Sequence, residues 1–141
     1  MVKYLLDTPL LGELVRAHSD DWLTRWMDAF YEDEICLSAL TIGEITKSIE
    51  SETDLGRKEE LYRWLNEELL VRFHGRVIPL DMEILMEWGR VSAECEAKGK
   101  PISALDGLIA ATVRARGLVL ITYNREIYSE AGIEVSDPWQ G

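Results

Sequence analysis

Apolar positions along this chain follow two alternating rhythms. Short unbroken runs occur at residues 2–6 (Val-Lys-Tyr-Leu-Leu), 35–37 (Ile-Cys-Leu), 76–80 (Arg-Val-Ile-Pro-Leu) and 118–122 (Leu-Val-Leu-Ile-Thr). They are too brief for helices and predict buried strands. Pro79 has no backbone N–H to give a ladder, so the third strand must be ending there. Residues 133–135 predict a short edge strand. Between these runs the apolar spacing is helical. Residues 10–17 and 20–31 predict two short helices, and residues 41–51 and 55–73 a helical pair with Gly56 near the break. Residues 82–98 carry Ile84, Leu85, Trp88, Val91 and Cys95 on one face and run out at Gly99. Residues 104–116 carry Leu105, Leu108, Ile109, Thr112 and Val113 and end at Gly117. Strands alternating with helices predict an α/β fold: a short, mainly parallel sheet of four to five strands flanked by helices on both faces. No repeat, linker or low-complexity stretch divides it, so residues 1–141 are expected to form a single domain.

Composition narrows the classes. The chain has 141 residues, 47% of them hydrophobic, which fits one globular domain and excludes a disordered chain. No apolar run approaches the roughly 20 residues that span a bilayer, and the N-terminus shows no secretory signal. Cys36 and Cys95 lie far apart, each in an apolar run, and read as core thiols in a reducing cytoplasm. Charge changes the picture more. There are 26 Asp and Glu against 15 Lys and Arg, a net charge of -11. Such a chain does not hold nucleic acid by bulk electrostatics. Any such contact must be local, with metal ions offsetting the carboxylates, and a basic protein partner is favoured.

Several polar residues sit where α/β proteins place their chemistry, at the carboxyl ends of strands. Asp7 follows the first run, Asp81 follows the third, and Thr122 closes the fourth with Asn124 two residues on. Glu44 and Asp106 lie inside apolar helical segments, Asp106 between Leu105 and Gly107-Leu108-Ile109. A carboxylate among apolar neighbours is costly unless paired or bound to metal. Carboxylates that converge repel one another, and a divalent cation relieves the repulsion. Oxygen donors without a His or Cys cluster suit Mg²⁺ or Mn²⁺ rather than zinc. Such an ion supports phosphodiester hydrolysis.

The same residues carry a family resemblance. Leu5-Leu6-Asp7-Thr8, Ser38-Ala39-Leu40-Thr41-Ile42-Gly43-Glu44, Pro101-Ile102-Ser103-Ala104-Leu105-Asp106-Gly107-Leu108-Ile109-Ala110-Ala111-Thr112, Gly117-Leu118 through Ile121-Thr122-Tyr123-Asn124 and Asp137-Pro138-Trp139 together resemble a PIN-domain protein. More narrowly, they resemble the VapC-type toxins of toxin–antitoxin pairs. The resemblance implies a three-layer PIN-like fold and a metal-dependent endoribonuclease. It implies that Asp7, Glu44 and Asp106 hold Mg²⁺ or Mn²⁺, with Thr8 and Thr122 as hydroxyls beside them. It also implies a homodimer, and a small antitoxin that blocks the acidic cleft; because an acidic pocket favours a cation, the antitoxin is expected to place Arg or Lys there. Two positions depart from the pattern. The fourth acid reads Asn124, with Glu126 two residues further on as the other candidate, and Pro9 stands where the family usually has Asn. These departures leave a second reading, a catalytically weakened PIN-fold module that binds RNA or a protein without cutting. A third is a hydrolase of small phosphate esters.

Each candidate also has a plainer reading. Asp7 before Pro9 reads as a helix cap, Glu44 as an acid favoured by a helix dipole, and Asp106 as the third residue of a capping box begun by Ser103. Asp81 matches no metal position and reads as a cap. His18 and His74 have no Ser or Cys partner pattern. Trp22, Trp26, Trp64, Trp88 and Trp139 read as core or subunit packing ahead of base stacking. Arg57, Lys58, Arg63, Arg72 and Arg76 are scattered among acids and read as a solvated face, with a groove for the RNA backbone as the other reading.

Overall fold

The structure is a computed structural model that describes residues 1–9 and 32–137. The helices expected at 10–17 and 20–31, with His18, Trp22 and Trp26, lie outside the described residues, as does Trp139. A parallel sheet holds β1 (Tyr4–Leu6), β2 (Ile35–Ser38), β3 (Val77–Ile78), β4 (Val119–Ile121) and β5 (Val135–Ser136). Their spatial order is β3-β2-β1-β4-β5. β1 pairs with β2 in register Tyr4 to Ile35 and with β4 in register Tyr4 to Val119. The chain therefore builds outward from β1 in one direction, then returns to its other side with β4. That reversal makes the crevice at the carboxyl ends of β1 and β4 the topological switch point.

The strands are shorter than the apolar runs suggest, although hydrogen bonds continue past their ends: Lys3 N–H donates to Glu34 O, and Thr122 N–H to Ser136 O. The third strand stops before Pro79, as its chemistry requires. Alternation of side chains divides the strand residues between two cores. Leu5, Cys36 and Leu120 face one side; Leu6, Ile35, Leu37 and Ile121 face the other.

Among the described residues, four helices cover the two faces. α1 (Ala39–Glu50) starts two residues before the predicted boundary because the Ser38 hydroxyl accepts from Leu40 N–H at 3.0 Å. α2 (Leu55–Trp64) starts at Asp54, whose carboxylate accepts from Gly56 and Arg57 N–H. The break thus falls at residues 51–54, and Gly56 belongs to the first turn of α2. The cap, rather than the glycine, sets the boundary. α2 then runs on through a π-helical segment, Leu65–Leu69, into a last turn at Leu70–Arg72. With Ile49, Leu65, Leu69 and Phe73 buried, this hairpin covers one face of the sheet. The other face is covered by α3 (Met82–Ala97), capped by Asp81, and α4 (Ala104–Arg116), capped by Ser103 and ended by Gly117 at φ 64°. Val91, Cys95, Ile109, Ala110 and Val113 form their buried seam. Their close approach needs Gly107, where a Cβ would meet the Trp88 ring at 3.1 Å.

Candidate active site

Three acids reach the switch point from three elements. Asp7 is the first residue after β1. Its N–H donates to Ile121 O at 3.0 Å, so the end of β4 fixes its backbone. Its side chain is only 4% exposed. Thr122 Oγ1 donates to Asp7 Oδ2 at 2.8 Å, and Thr8 N–H donates to Oδ1 at 3.0 Å. Thr122 is itself buried, and its Oγ1 accepts from Asn124 N–H at 3.0 Å. Asp7 is thus held on both oxygens with Pro9, and not Asn, two residues on.

Glu44 stands on α1, near its N-terminus. Thr8 Oγ1 donates to Glu44 Oε1 at 2.8 Å and lies 2.9 Å from the buried Thr41 Oγ1. Thr8 therefore ties the first strand's end to α1. Asp106 is at the third position of α4. The Ser103 hydroxyl accepts from its N–H at 3.2 Å and donates to its Oδ2 at 2.7 Å. The plainer reading of Asp106 is met in part: Ser103 caps the helix, and the carboxylate returns to the Ser103 hydroxyl rather than to its backbone N–H. Asp81 behaves as the cap it was read to be, accepting from Ile84 N–H at 2.9 Å and pairing with Arg116.

The charges of Asp106 and Glu44 are felt at Asp7. Burial pushes the Asp7 carboxyl up to about 6, and the charges of Asp106 and Glu44 push it the same way, against the hydrogen bonds from Thr122 and Thr8. A fourth member was not legible in the sequence. Tyr128 closes a short 3₁₀ turn, Arg125–Tyr128, and is 2% exposed. Its hydroxyl donates to Asp106 Oδ1 at 3.4 Å. Burial first, and then the charges of Asp7, Asp106 and Glu44, drive its ionisation far upward, so the phenol stays a donor at neutral pH. Its apolar ring makes it read as core in a linear sequence.

The remaining candidates are placed differently. Asn124 caps nothing with its side chain and contributes through its backbone N–H. Glu126 is not brought to the acids. Its side chain is 89% exposed and pairs with Lys100 at 2.6 Å, which lowers its carboxyl's pKa. The 3₁₀ turn points it outward while turning Tyr128 in. Both cysteines are buried, and burial lifts the Cys36 thiol to about 12, so Cys36 offers no thiolate at neutral pH.

Whether these residues suit a cation follows from their donor set. All are hard oxygens, and among the described residues no three His, Cys, Asp or Glu side chains stand close enough to enclose one ion together. The donor type, and not a ready-made cage, is what suits Mg²⁺ or Mn²⁺, which keep most of their waters and take one or two carboxylates directly. It does not fit a zinc cage.

Comparison with known proteins accords with this geometry. The PIN domain pattern matches residues 4–132. The chain is 30% identical to the VapC ribonuclease Y4jK of Sinorhizobium fredii over 136 residues, covering 96% of this chain and 97% of that protein. It is 28% identical to the toxin FitB of Neisseria gonorrhoeae, covering 96% and 97%. The crystal structure of FitAcB from Neisseria gonorrhoeae superposes with a TM-score of 0.91 at 28% identity, over 98% of this chain and 99% of that one.

Proposed function

The chain belongs to the PIN-domain family, and from that premise we propose that it is a Mg²⁺- or Mn²⁺-dependent endoribonuclease toxin acting in the cytoplasm as a single folded unit. The observation that carries the proposal is the Asp7 carboxylate, whose proton affinity is raised first by burial and then by the charges of two further acids, Asp106 on α4 and Glu44 on α1. An unliganded protein gains nothing from such crowding, and a polyanionic substrate would be repelled by it. A divalent cation answers both.

Asp7, Glu44 and Asp106 are the proposed metal-holding residues. When bound, the cation supplies charge stabilisation at the phosphoryl oxygens and a more acidic water. The chain's own part is preorganisation. Thr122 and Thr8 fix Asp7, Thr8 also orients Glu44, and Ser103 with Tyr128 fixes Asp106. Water attacks the phosphodiester, the P–O bond to one ribose breaks, and a phosphomonoester and an alcohol result.

The partners follow from the same reading. A small antitoxin is proposed to insert a cationic side chain among the acids. A second copy of the chain is proposed to cover the apolar stripe Met82, Leu85 and Met86 on α3, which are 75%, 47% and 56% exposed. Among the described residues no helix is long and apolar enough to cross a membrane.

The test is cleavage of a mixed structured RNA by the purified chain with Mg²⁺, with Mn²⁺ and with EDTA, beside Asp106→Asn. Cleavage that needs the metal and disappears in the variant supports the proposal. Equal cleavage by both proteins marks a contaminant and removes it. If neither cuts, but Mn²⁺ raises the melting temperature of the wild type alone, the metal site stands and the choice narrows to a nuclease with a narrow RNA target or the binding module that Pro9 and Asn124 suggest.

A further inference from the structure

Beside the acids lies a cavity of about 600 Å³ that the hydrolytic chemistry does not use. Thr8 and Glu44 are among its lining residues, so it adjoins the acid centre. One wall is a single stripe of Glu44, Lys47 and Ser48 on α1 and Ser51 at its C-cap, spaced i, i+3, i+4 and i+7. A rise of about 1.5 Å per residue carries this stripe roughly 10 Å from the acids. The facing wall is the matching stripe on α2: Arg57, Leu61 and Trp64. Ile45 and Ile49 also line it, and Leu105, one residue before Asp106, borders the acid end.

Charge distinguishes this cavity from the α3–α4 side of the sheet. On α3 and α4, Arg90, Lys98, Arg114 and Arg116 all have carboxylate partners. Among the described residues, neither Lys47 nor Arg57 has one, although the chain carries a net charge of -11. Glu52, the other acid on the lining, accepts from Asp54 N–H at 3.1 Å and is engaged there. Two free cations, an aromatic ring and an apolar floor, continuous with the acid centre, are the combination that binds an unstacked base and its phosphate. The sequence alone left these features split between core packing for Trp64 and a solvated face for Arg57; only folding puts them on one cavity.

We propose that this cleft holds one unstacked nucleobase of a single-stranded RNA segment, next to the scissile phosphate. Trp64 and Leu61 cover the base, and Lys47 and Arg57 neutralise the adjoining phosphate. The proposal rests on the nuclease reading and names where the substrate strand runs. It requires the target to be a loop or an end, because a paired base is not free to enter.

The experiment uses the full-length chain and a fluorescent single-stranded RNA of mixed sequence. Binding is followed in Mg²⁺ in the Asp106→Asn background, and KM for cleavage is followed in the otherwise wild-type background. Three changes are compared: Lys47→Gln with Arg57→Gln, Trp64→Ala, and Trp64→Phe. The paired cation change is expected to flatten the dependence of log affinity on log salt by roughly 0.7 per cation. Trp64→Ala is expected to weaken RNA binding about tenfold and raise KM with little change in kcat, and Trp64→Phe to restore most of the loss. Altered packing alone would not move a salt slope. If the wild type cuts RNA in a metal-dependent way while all three variants bind and cut as it does, the cleft reading is overturned and the nuclease reading stands. If the variants keep RNA affinity but escape inhibition by a co-expressed antitoxin, the cleft belongs to the protein partner and the proposal is equally overturned. Failure of the wild type to bind or cut any RNA removes both readings.

Discussion

The two helical layers on this sheet differ in how they are closed. On one face, α3 and α4 meet along a fully buried seam, with Trp88 lying against Gly107 and its indole N–H donating to Ala104 O at 3.2 Å. Arg114 ties α4 to α3 through Glu87 at 2.9 Å and Glu94 at 2.5 Å. On the other face, no residue of α2 itself is buried before the π-helical segment begins. The α1–α2 hairpin is held at its tip by Glu50, which accepts from Tyr62 and pairs with Lys58 at 3.2 Å. Between these helices the open cavity remains. The same sheet thus has a closed face that fixes Asp106 and an open face that presents Glu44. π-helical turns in otherwise α-helical segments are often found at functional sites, and here one lies on the open side. The comparison teaches that rigidity is placed behind the acids and access beside them.

Truncation in the two layers should separate them most. Ile109→Ala, in the closed seam, is expected to destabilise the chain by about 2–5 kcal/mol, whereas Leu61→Ala on the cavity wall should cost about 1 kcal/mol, because solvent or a ligand fills the space. Urea denaturation of both variants measures the difference, and equal losses would erase the distinction between the layers.

The acid centre joins the layers, and its strain has a pH signature. The Asp7 carboxyl is raised from 3.8 to about 6 in the folded chain. Between those values the folded chain keeps a proton that the unfolded chain has released, so stability falls as pH rises through the window. Asp7→Asn should therefore stabilise the metal-free chain at pH 7, by up to about 3 kcal/mol, with the gain disappearing below about pH 4. Thermal melts in EDTA across this range test it. Mg²⁺ should raise the wild-type melting temperature at pH 7 and leave the variant unmoved.

Smaller effects belong to the supports. Tyr128→Phe keeps the ring and removes the donor to Asp106, and is expected to weaken Mn²⁺ binding about tenfold, read directly by titration without RNA. Arg114→Ala should destabilise by about 1 kcal/mol, less at high salt, because its ion pairs are partly exposed. A loss of Mn²⁺ affinity in Arg114→Ala as large as in Tyr128→Phe would mean that the closed layer and the centre are not separable.

Much of this was legible in the linear chain because burial in a parallel sheet demands unbroken apolar runs. Leu5-Leu6 and Leu120-Ile121 announce strands buried on both faces, and Gly117 and Ser103 announce where α4 ends and begins. The acids were legible through their setting, a carboxylate at a strand end or within an apolar segment. Glu126 and Asn124 were ambiguous because sequence distance after Thr122 does not say which way a 3₁₀ turn points its side chains. Tyr128 carried no signal, since an aromatic residue in a half-apolar segment reads as core. The π-helical segment was likewise silent, because its apolar spacing is that of any buried helix.

What the sequence determined by itself is the order of strands and helices, the caps, and the residue types able to hold a hard cation. These are local matters of periodicity and hydrogen-bonding capacity. What only the tertiary structure decided is convergence. Asp7, Glu44 and Asp106 come from three separate segments and come within electrostatic reach of one another because β1 lies between β2 and β4, with Tyr128 hydrogen-bonded to Asp106. Lys47, Arg57 and Trp64 share one cavity because α2 folds back on α1. Such juxtapositions depend on which elements pack together, and side-chain periodicity within one element carries no record of its neighbours.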